Sequence, residues 1–359
     1  MKNVVVFHLF NDFSGSPMIL NTVVVGLLKK GCKVDLVTSR GGVLDTIADC
    51  ENLTRHHYSY NYSMKGWVTL LRYTWVQIYT FMLAFKFIFR KNTVFYINTL
   101  LPVGPALAGR IMGKRVVYHY HENANVKGTV YKELCKAMTH IADDIICVSA
   151  YQRNTLQDGR KATVVPNAVS DKFSEKLQPD ASRAFAAKNI LMACSAKMYK
   201  GVGEFMKIAE MLPQYRFTLV LNCDESEKET FLKDNNITVP ANTTVFPRTD
   251  KMHEFYNKAS VVLNLSDKEQ FIETYGMTVA EAHLAGLPCI VPTEGGVAEL
   301  VSNGENGYTT DSHETKTIAE QIDKMLSNEN LFKTMSESAL KSSEAFSEKK
   351  MVDSIFKIL

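Results

Sequence analysis

Two glutamates with seven residues between them, Glu273 and Glu281, are the side chains of this chain that point most directly to chemistry. Gly276 follows the first glutamate, and the spacing puts Glu273 before a helix and Glu281 inside it. The first N–H groups of a helix lack intrahelical acceptors and favour an anion. The pattern therefore predicts a site for an anionic ligand with hydroxyl groups for the carboxylates. A capping acid followed by a buried helix is the simpler alternative. The predicted helix start comprises Thr274, Tyr275, Gly276 and Met277.

A second candidate segment follows a predicted strand at 190–194 and contains two lysines, Lys197 and Lys200, ahead of a glycine. In a doubly wound sheet, a loop after a strand lies at the ligand crevice. Two ammonium groups there could both reach a diphosphate, the charged leaving group of an activated sugar. Two solvated surface lysines are the alternative.

The first half of the chain offers three weaker candidates. Gly15 and Ser16 lie between the first predicted strand and a helix, where such domains bind phosphate. His121 ends a predicted strand at 116–120, and strand periodicity puts His119 on the same face. A neutral imidazole there could position or deprotonate a hydroxyl group, although a buried histidine or a metal site with Glu122 are alternatives.

The segment that begins at Glu273 resembles the signature of the retaining nucleotide-sugar glycosyltransferases of the GT-B type. The match runs through Glu, seven residues, Glu, then Ala-Gly-Leu-Pro, Glu-Gly-Gly and Asn-Gly-Tyr. The loop with Lys200-Gly201 is similar to the phosphate-binding loop of that family, with Lys197 in place of the usual arginine. A lysine there gives a point charge instead of a bidentate contact.

The resemblance implies an α/β fold with two Rossmann-like doubly wound parallel-sheet domains facing a cleft. It further implies that Glu273 accepts hydrogen bonds from the donor sugar and faces the positive charge at its anomeric carbon. Glu281 is implied to accept hydrogen bonds from the ribose hydroxyl groups. His121 is the second candidate catalytic residue, on the acceptor side. Arg248 follows a predicted strand at 244–246 and is expected near the base or phosphate, while Gly15 and Ser16 close over the donor phosphates or the acceptor.

The length of 359 residues favours two domains. Predicted strands alternate with helices in both halves, which is typical of parallel sheets, and a turn-rich run at 166–171 joins them. We therefore expect domains at 1–168 and 169–341. The amphipathic tail at 342–359 is expected, from the resemblance, to cross back to the first domain.

Composition, cysteine content and charge further restrict the class of protein. Hydrophobic residues make up 46% and charged residues 22% of the chain, as in ordinary globular proteins. Seven scattered cysteines without a C-x-x-C pair predict reduced thiols in a cytoplasmic protein, and the N-terminus lacks the features of a signal peptide. Residues 1–180 carry a net charge of +9 and the remainder −6, so an anionic partner is expected in the first half.

The stretch at 67–89 is rich in aromatic and aliphatic residues but is interrupted by charges. A transmembrane span is disfavoured. A helix packed in the core is one interpretation, and an interfacial helix on an anionic membrane surface is the other.

Together these features predict a retaining, metal-independent glycosyltransferase without a cofactor. Its expected partners are a nucleoside-diphosphate sugar, a glycan or lipid-linked acceptor and the inner face of the plasma membrane, but no nucleic acid. Bacterial cell-surface polysaccharide synthesis is the expected setting by analogy. A nucleotide-sugar 2-epimerase and a non-catalytic nucleotide-sugar or glycan-binding protein are the alternatives.

Overall fold

The structure is a computed structural model that describes residues 2–124, 128–156 and 161–359. The chain forms two compact units. The N-terminal unit comprises Met1–Ala168 and Glu348–Leu359, and the C-terminal unit comprises Val169–Ser347. The C-terminal unit ends six residues beyond the predicted 341, because Phe346 is buried in it, with its ring stacked on His283.

The N-terminal unit is built on a parallel sheet of seven strands in the order β3-β2-β1-β4-β5-β6-β7. The strands are β1 Asn3–Phe7, β2 Lys33–Ser39, β3 Leu53–Tyr58, β4 Thr93–Asn98, β5 Arg115–Tyr120, β6 Asp144–Cys147 and β7 Ala162–Val164. The helices between them are α1 Gly15–Lys29, α2 Gly66–Ala84, α3 Val103–Ile111, α4 Thr129–Ile141 and α5 Ala150–Asn154. The strand order reverses between β1 and β4.

The C-terminal unit repeats this plan with a parallel sheet of six strands in the order β10-β9-β8-β11-β12-β13. The strands are β8 Asn189–Cys194, β9 Arg216–Leu221, β10 Thr243–Phe246, β11 Val261–Leu263, β12 Cys289–Val291 and β13 Gly307–Thr309. The helices are α6 Asp171–Ser174, α7 Ala181–Ala187, α8 Val202–Met211, α9 Glu225–Asp234, α10 Met252–Tyr256, α11 Met277–Leu284, α12 Thr315–Ser327 and α13 Glu329–Ser343. The final helix, α14 Glu348–Ile358, belongs to the N-terminal unit.

Each unit has its own hydrophobic core around its central strands. These strands read as nearly continuous apolar runs, such as Val4, Val5 and Val6, because helices cover parallel sheets on both faces. The predicted fold of two Rossmann-like parallel-sheet domains is confirmed. The sequence patterns missed only β3 and β13, which are edge strands. β3 is half-buried and polar, and β13 is the segment Gly-Tyr-Thr, so neither shows an apolar run.

None of the helices among the described residues has both the length and the apolar character needed to cross a bilayer.

The last helix, α14, packs against α1 within the N-terminal unit. Lys30 Nζ lies 2.5 Å from an Asp353 carboxylate oxygen, and Lys2 Nζ donates to the Phe356 carbonyl oxygen at 3.0 Å. A Cβ atom placed on Gly26 would come within 2.4 Å of a Val352 methyl group. The glycine therefore lets the two helices approach closely, since any side chain at this position would meet Val352.

We expect Gly26→Ala to destabilise the protein by about 1–3 kcal/mol, because the added methyl group overlaps the Val352 side chain. Val352→Ala in the same chain should recover much of this loss, since only its Cβ atom would remain in contact. Urea unfolding of the single and double variants measures the coupling between the two sites.

The matched control is Gly203→Ala in α8, where the nearest atom to an added Cβ lies at 3.6 Å. This substitution should be neutral or slightly stabilising. Equal losses for both glycine variants would contradict the packing explanation.

Candidate functional site

In the C-terminal unit, the candidate residues lie at the carboxyl ends of three adjacent strands, β8, β11 and β12. The strand order reverses between β8 and β11, and open α/β sheets bind ligands beside such a point. The loops that leave these strands carry Lys200, Glu273 and the pair Gly295-Gly296. The fold thus gathers polar groups that are distant in the sequence at the edge of the sheet where this architecture binds ligands.

The central contact of this edge is an ion pair between Lys200 and Glu273. Lys200 Nζ lies 2.5 Å from Glu273 Oε1, and the hydroxyl group of Ser266 donates to the same oxygen at 3.2 Å. The lysine Nζ also lies 3.7 Å from the centre of the Phe271 ring, on which the Tyr199 ring stacks. Only 11% of the Lys200 side chain and 22% of the Glu273 side chain are exposed. Both charges are therefore held in fixed places at the rim of the sheet.

Glycines in left-handed backbone conformations bring the Lys200 and Gly276 segments to this edge. Gly201 has φ +78°, and a Cβ atom there would lie 2.3 Å from the Leu265 carbonyl oxygen. Gly276 has φ +110°, and its Cβ would meet Val297 at 2.6 Å. A side chain at either position would push the loops apart.

The loop after β12 supports the backbone of Glu273. The Gly296 N–H donates to the Glu273 carbonyl oxygen at 2.7 Å. A Cβ atom on Gly295 would approach that same oxygen to 2.6 Å. The two glycines thus let the loop lie directly against the Glu273 main chain and fix its position.

Helix α11 begins at Met277, directly after Gly276, as the sequence patterns predict. The first N–H groups of a helix lack intrahelical acceptors, so this end of α11 suits an anion. Thr274 and Met277 are partly buried. Tyr275 is 4% exposed, and its ring packs edge-on against Phe346. Its side chain therefore belongs to the core, so only its backbone could contribute to a site.

Glu281 lies on α11, and its Oε2 accepts a hydrogen bond from the Tyr256 hydroxyl group at 2.7 Å. Burial raises the pKa of Glu281 to about 7, although the Tyr256 hydrogen bond works in the opposite direction. The carboxyl group therefore changes charge near neutral pH, unlike an ordinary surface glutamate.

Lys197 and Arg248 stand apart from this cluster. Both side chains are exposed, and among the described residues neither forms a hydrogen bond or an ion pair with Glu273. Lys197 precedes the short helical turn that carries Lys200, so it lies on the same loop. Arg248 follows β10 at the edge of the sheet, where its N–H donates to the Cys223 carbonyl oxygen at 2.8 Å.

The N-terminal unit has a second polar cluster at its own point of reversal, between β1 and β4. The side chain of Asn98 connects His121, His8 and the start of α1. Its Oδ1 lies 3.0 Å from His121 Nε2, and its Nδ2 lies 3.1 Å from His8 Nδ1 and 3.5 Å from the Ser16 carbonyl oxygen. Since the Ser16 carbonyl can only accept, the amide orientation assigns the Nε2–H tautomer to His121.

Burial, with His119 and His8 nearby, holds the pKa of His121 well below its usual range. The imidazole is therefore neutral at physiological pH, as required of a group that accepts a proton. Gly15 and Ser16 form the first turn of α1, so they lie at the start of the helix and not in the loop before it. The structure thus brings Ser16 and His121 together through Asn98.

His119, His121 and Glu122, the residues of the alternative metal site, have other partners in the structure. The two histidine side chains lie on the same face of the strand, with their ring centroids 4.1 Å apart, as strand periodicity predicts. His119 Nδ1, however, lies 2.6 Å from the Tyr96 hydroxyl group, and the Glu122 carboxylate accepts from the Leu100 N–H at 3.2 Å. No group of three metal-binding side chains occurs in the described ranges.

Sequence reasoning missed several polar or aromatic contacts of the two clusters: Ser266, Phe271, Tyr256, Asn98 and His8. Asn98 and His8 lie at strand ends, and this position is a signal that could have identified them. Tyr256 lies on a short helix, and no sequence signal relates it to Glu281.

We expect Glu281 to make the folded protein less stable as the pH rises. Its pKa is raised from 4.5 to about 7 in the folded state, so its contribution is complete below pH 4.5 and is lost as the pH rises through 7. The loss is at most roughly 3 kcal/mol. Glu281→Gln should abolish this loss of stability. The melting temperature of the variant, relative to that of the wild type, should therefore rise by several degrees between pH 5 and pH 8.

Tyr256→Phe provides the matched comparison. It removes the hydrogen bond that lowers the pKa of Glu281, so the transition should move to higher pH. A constant difference in melting temperature between the wild type and Glu281→Gln over the whole pH range would contradict the raised pKa.

Comparison with known proteins agrees with the two-unit organisation. Residues 175–342 match the model of the family described as glycosyl transferases group 1, and residues 14–173 match glycosyltransferase family 4. N-acetyl-alpha-D-glucosaminyl L-malate synthase of Bacillus anthracis is 30% identical over 146 residues, which are 40% of this chain and 37% of that protein. An uncharacterized glycosyltransferase of Methanocaldococcus jannaschii is 28% identical over 228 residues, or 62% and 61% of the two chains.

The matched regions thus span about 37% and 61% of these two relatives. Among solved structures, the Anabaena protein Alr3699/HepE in complex with UDP superposes with a TM-score of 0.77 at 16% identity, covering 100% of this chain and 99% of that one. At this level of identity the likeness concerns the fold. The two family matches follow the two Rossmann-like units, so each unit is similar to a family of glycosyltransferases, and the chain as a whole shares the fold of the Anabaena protein.

Proposed function

We propose that this protein transfers a glycosyl group from a nucleoside-diphosphate sugar to a glycan or lipid-linked acceptor, with retention of anomeric configuration and without a metal ion or cofactor. The observation that carries the proposal is the Lys200–Glu273 pair beside the helix start at Gly276. A cation, a carboxylate and a helix N-terminus together suit a pyrophosphate joined to a sugar.

Departure of the diphosphate is the step that needs positive charge, because cleavage of the anomeric C–O bond leaves negative charge on the phosphates. The ammonium group of Lys200 and the first N–H groups of α11 supply positive charge and oriented dipoles. Exposed Lys197, on the same loop, is assigned the role of a second point charge. The proposal assigns the neutralisation of the leaving group to these groups instead of to a metal ion.

Glu273 is assigned to the glycosyl group. Its carboxylate accepts from Ser266 and Lys200, so it is oriented before a ligand arrives. In this position it can accept from sugar hydroxyl groups and stabilise the positive charge that develops at the anomeric carbon. Retention is proposed from the resemblance of the Glu273 segment to the signature of the retaining GT-B enzymes.

Glu281 is assigned to the nucleoside, whose ribose hydroxyl groups would donate to its carboxylate. The binding of UDP by the Anabaena protein of the same fold supports a nucleotide donor. Arg248 is assigned to the base or phosphate from its place after β10. Its exposed side chain would have to move toward the ligand.

The N-terminal cluster is assigned to the acceptor. His121 is neutral and fixed by Asn98, so it can orient or deprotonate an acceptor hydroxyl group. Gly15 and Ser16, at the start of α1, would contact the donor phosphates or the acceptor. The synthesis of cell-surface polysaccharide is the proposed setting, on analogy with relatives.

We expect Glu273→Gln to lower kcat by roughly 10²–10³-fold, since the neutral amide keeps the shape but no longer stabilises positive charge. Donor binding should change much less. Transfer to a panel of acceptors, followed by NMR of the anomeric proton of the product, measures both rate and stereochemistry. Glu269→Gln, an exposed acid on the same loop, is the control and should remain active.

An inverted product would contradict retention, and an equal kcat for the Glu273→Gln and wild-type proteins would contradict the role of the carboxylate. Incubation of the donor alone separates two other activities. Epimerised sugar would identify a 2-epimerase, and donor binding without any turnover would identify a binding protein. Full activity in EDTA is expected for the metal-independent reaction.

We expect the affinity for UDP to rise as the pH increases through about 7, because only the ionised carboxylate of Glu281 can accept from both ribose hydroxyl groups. Calorimetric titration between pH 6 and pH 8 measures this change. In Glu281→Gln the part of the rise that comes from this carboxylate should disappear. The titration of the nucleotide phosphate is common to both proteins and cancels in the comparison, so identical pH profiles would contradict the assignment.

A further inference from the structure

Helix α2 of the N-terminal unit carries apolar side chains on the face that points away from its own core. Its inner face contributes Val76, Thr80 and Ala84, which are buried. The opposite face presents large apolar residues at the spacing of successive helical turns. We call this row the α2 stripe: Trp67, Leu71, Trp75, Ile78 and Met82, with exposed fractions of 63%, 61%, 66%, 54% and 64%.

The exposed apolar surface extends beyond the stripe. Met64 before the helix and Phe89 after it are 104% and 92% exposed, and Leu70 on a neighbouring face of α2 is 63% exposed. Monomeric proteins rarely leave so many large apolar side chains together in water without a partner. The inner face of α2 explains how the helix is held, but the core of the unit does not account for the outer face.

The charge of this region is of one sign. No aspartate or glutamate occurs between Glu51 and Glu122, although the same stretch contains nine lysines and arginines. Four of these, Arg55, Arg90, Arg110 and Arg115, pair with carboxylates from other parts of the chain. Four others, Lys65, Arg72, Lys86 and Lys91, are exposed and form no ion pair with a described residue.

These four cations lie on or beside α2. Lys65 directly precedes the helix and Lys86 lies just beyond its end, so roughly 30 Å separates them along the helix axis. Arg72 lies within the helix. Cations that flank an apolar helical face are the arrangement with which peripheral proteins bind anionic lipid headgroups.

From the stripe and its flanking cations we infer that α2 docks the protein on an anionic phospholipid bilayer, as an interfacial helix that lies parallel to the surface. The apolar side chains enter the boundary between headgroups and acyl chains, while the four cations contact phosphate groups. The protein does not need a spanning segment for this. The surface is independent of the proposed transfer reaction, so binding to vesicles can be measured without donor or acceptor.

A second copy of the chain is the less favourable occupant of this surface. In a symmetric dimer the same patch would face itself. The unpaired cations of both copies would then come close together, with no carboxylate from residues 52–121 to offset them. Charge complementarity therefore favours lipid phosphate over self-association.

The chain has its own optical probe for the test, because its two tryptophans, Trp67 and Trp75, both lie in the stripe. Vesicles of phosphatidylcholine with 30% phosphatidylglycerol are added to the full-length protein, and pure phosphatidylcholine vesicles serve as the comparison. We expect a blue shift of the tryptophan emission and protection from acrylamide on the anionic vesicles only. Both effects should weaken in high salt.

Two variants locate the contact while retaining both tryptophans. Lys65→Ala/Arg72→Ala/Lys86→Ala/Lys91→Ala should weaken binding at least about tenfold, since each cation near an anionic surface contributes to affinity. Arg90 is left intact because it pairs with buried Asp35. Leu71→Glu/Ile78→Glu places carboxylates in the stripe and should abolish binding. Circular dichroism checks that each variant is folded.

The matched control removes four exposed lysines of the C-terminal unit: Lys176, Lys207, Lys233 and Lys316. Both quadruple variants lower the net charge from +3 by four, so they lose the same charge from different surfaces. The control should bind anionic vesicles like the wild type. Equal weakening by both would show a general charge effect and overturn the inference.

Two further results would also overturn it. An unchanged tryptophan spectrum at millimolar anionic lipid would mean that the stripe does not enter a bilayer. Tryptophans already shielded from acrylamide without lipid, together with a dimer in sedimentation velocity, would mean that a second copy covers α2.

Discussion

The candidate donor site depends on one constraint: the loops after β8, β11 and β12 must approach each other closely enough for Lys200 to meet Glu273. Main chains can approach this closely only where no Cβ intervenes. Gly201 and Gly276 satisfy this condition in left-handed conformations, since a Cβ atom added at either position would come within 2.6 Å of a neighbouring residue. The ion pair is therefore a consequence of backbone packing as much as of charge attraction.

Both units use the same structural principle. In each, polar side chains collect where the order of the parallel strands reverses, since the loops on either side of that point diverge and leave a crevice. The C-terminal unit places a cation and two carboxyl groups there, whereas the N-terminal unit places Asn98 and its histidines. The first set suits a charged, hydroxyl-rich ligand, and the second suits the handling of a proton.

Burial changes what these polar groups can do. Glu281 lies close enough to the core for its pKa to reach about 7, and the pKa of His121 falls well below its usual range. The two shifts have the same origin, because removal of water penalises whichever form of the group is charged. The result is a carboxyl group that titrates near neutrality and an imidazole that stays uncharged.

Much of the fold could be predicted from the sequence because parallel strands buried on both faces appear as apolar runs. The strands at the centres of both sheets were predicted to within a few residues, whereas the edge strands β3 and β13 were missed, because β3 is polar and half-buried and β13 is the short segment Gly-Tyr-Thr. Of the site, the glutamate spacing and the lysine loop were recognisable as local motifs. Ser266, Phe271 and Tyr256 were not, because they contact the motif residues only through the folding of distant segments.

Helix α2 has a feature that the sequence alone could not determine, namely which of its faces is buried. Its composition predicts an apolar helix but leaves open which face is buried, because large side chains occur all around it. The sequence alone determined the strand and helix pattern, the paired glutamates, the glycines and the excess of positive charge in the first half. The tertiary structure alone decided which side chains meet, which of them lose water and which apolar face remains exposed, because contact and solvation depend on segments that are far apart in the chain.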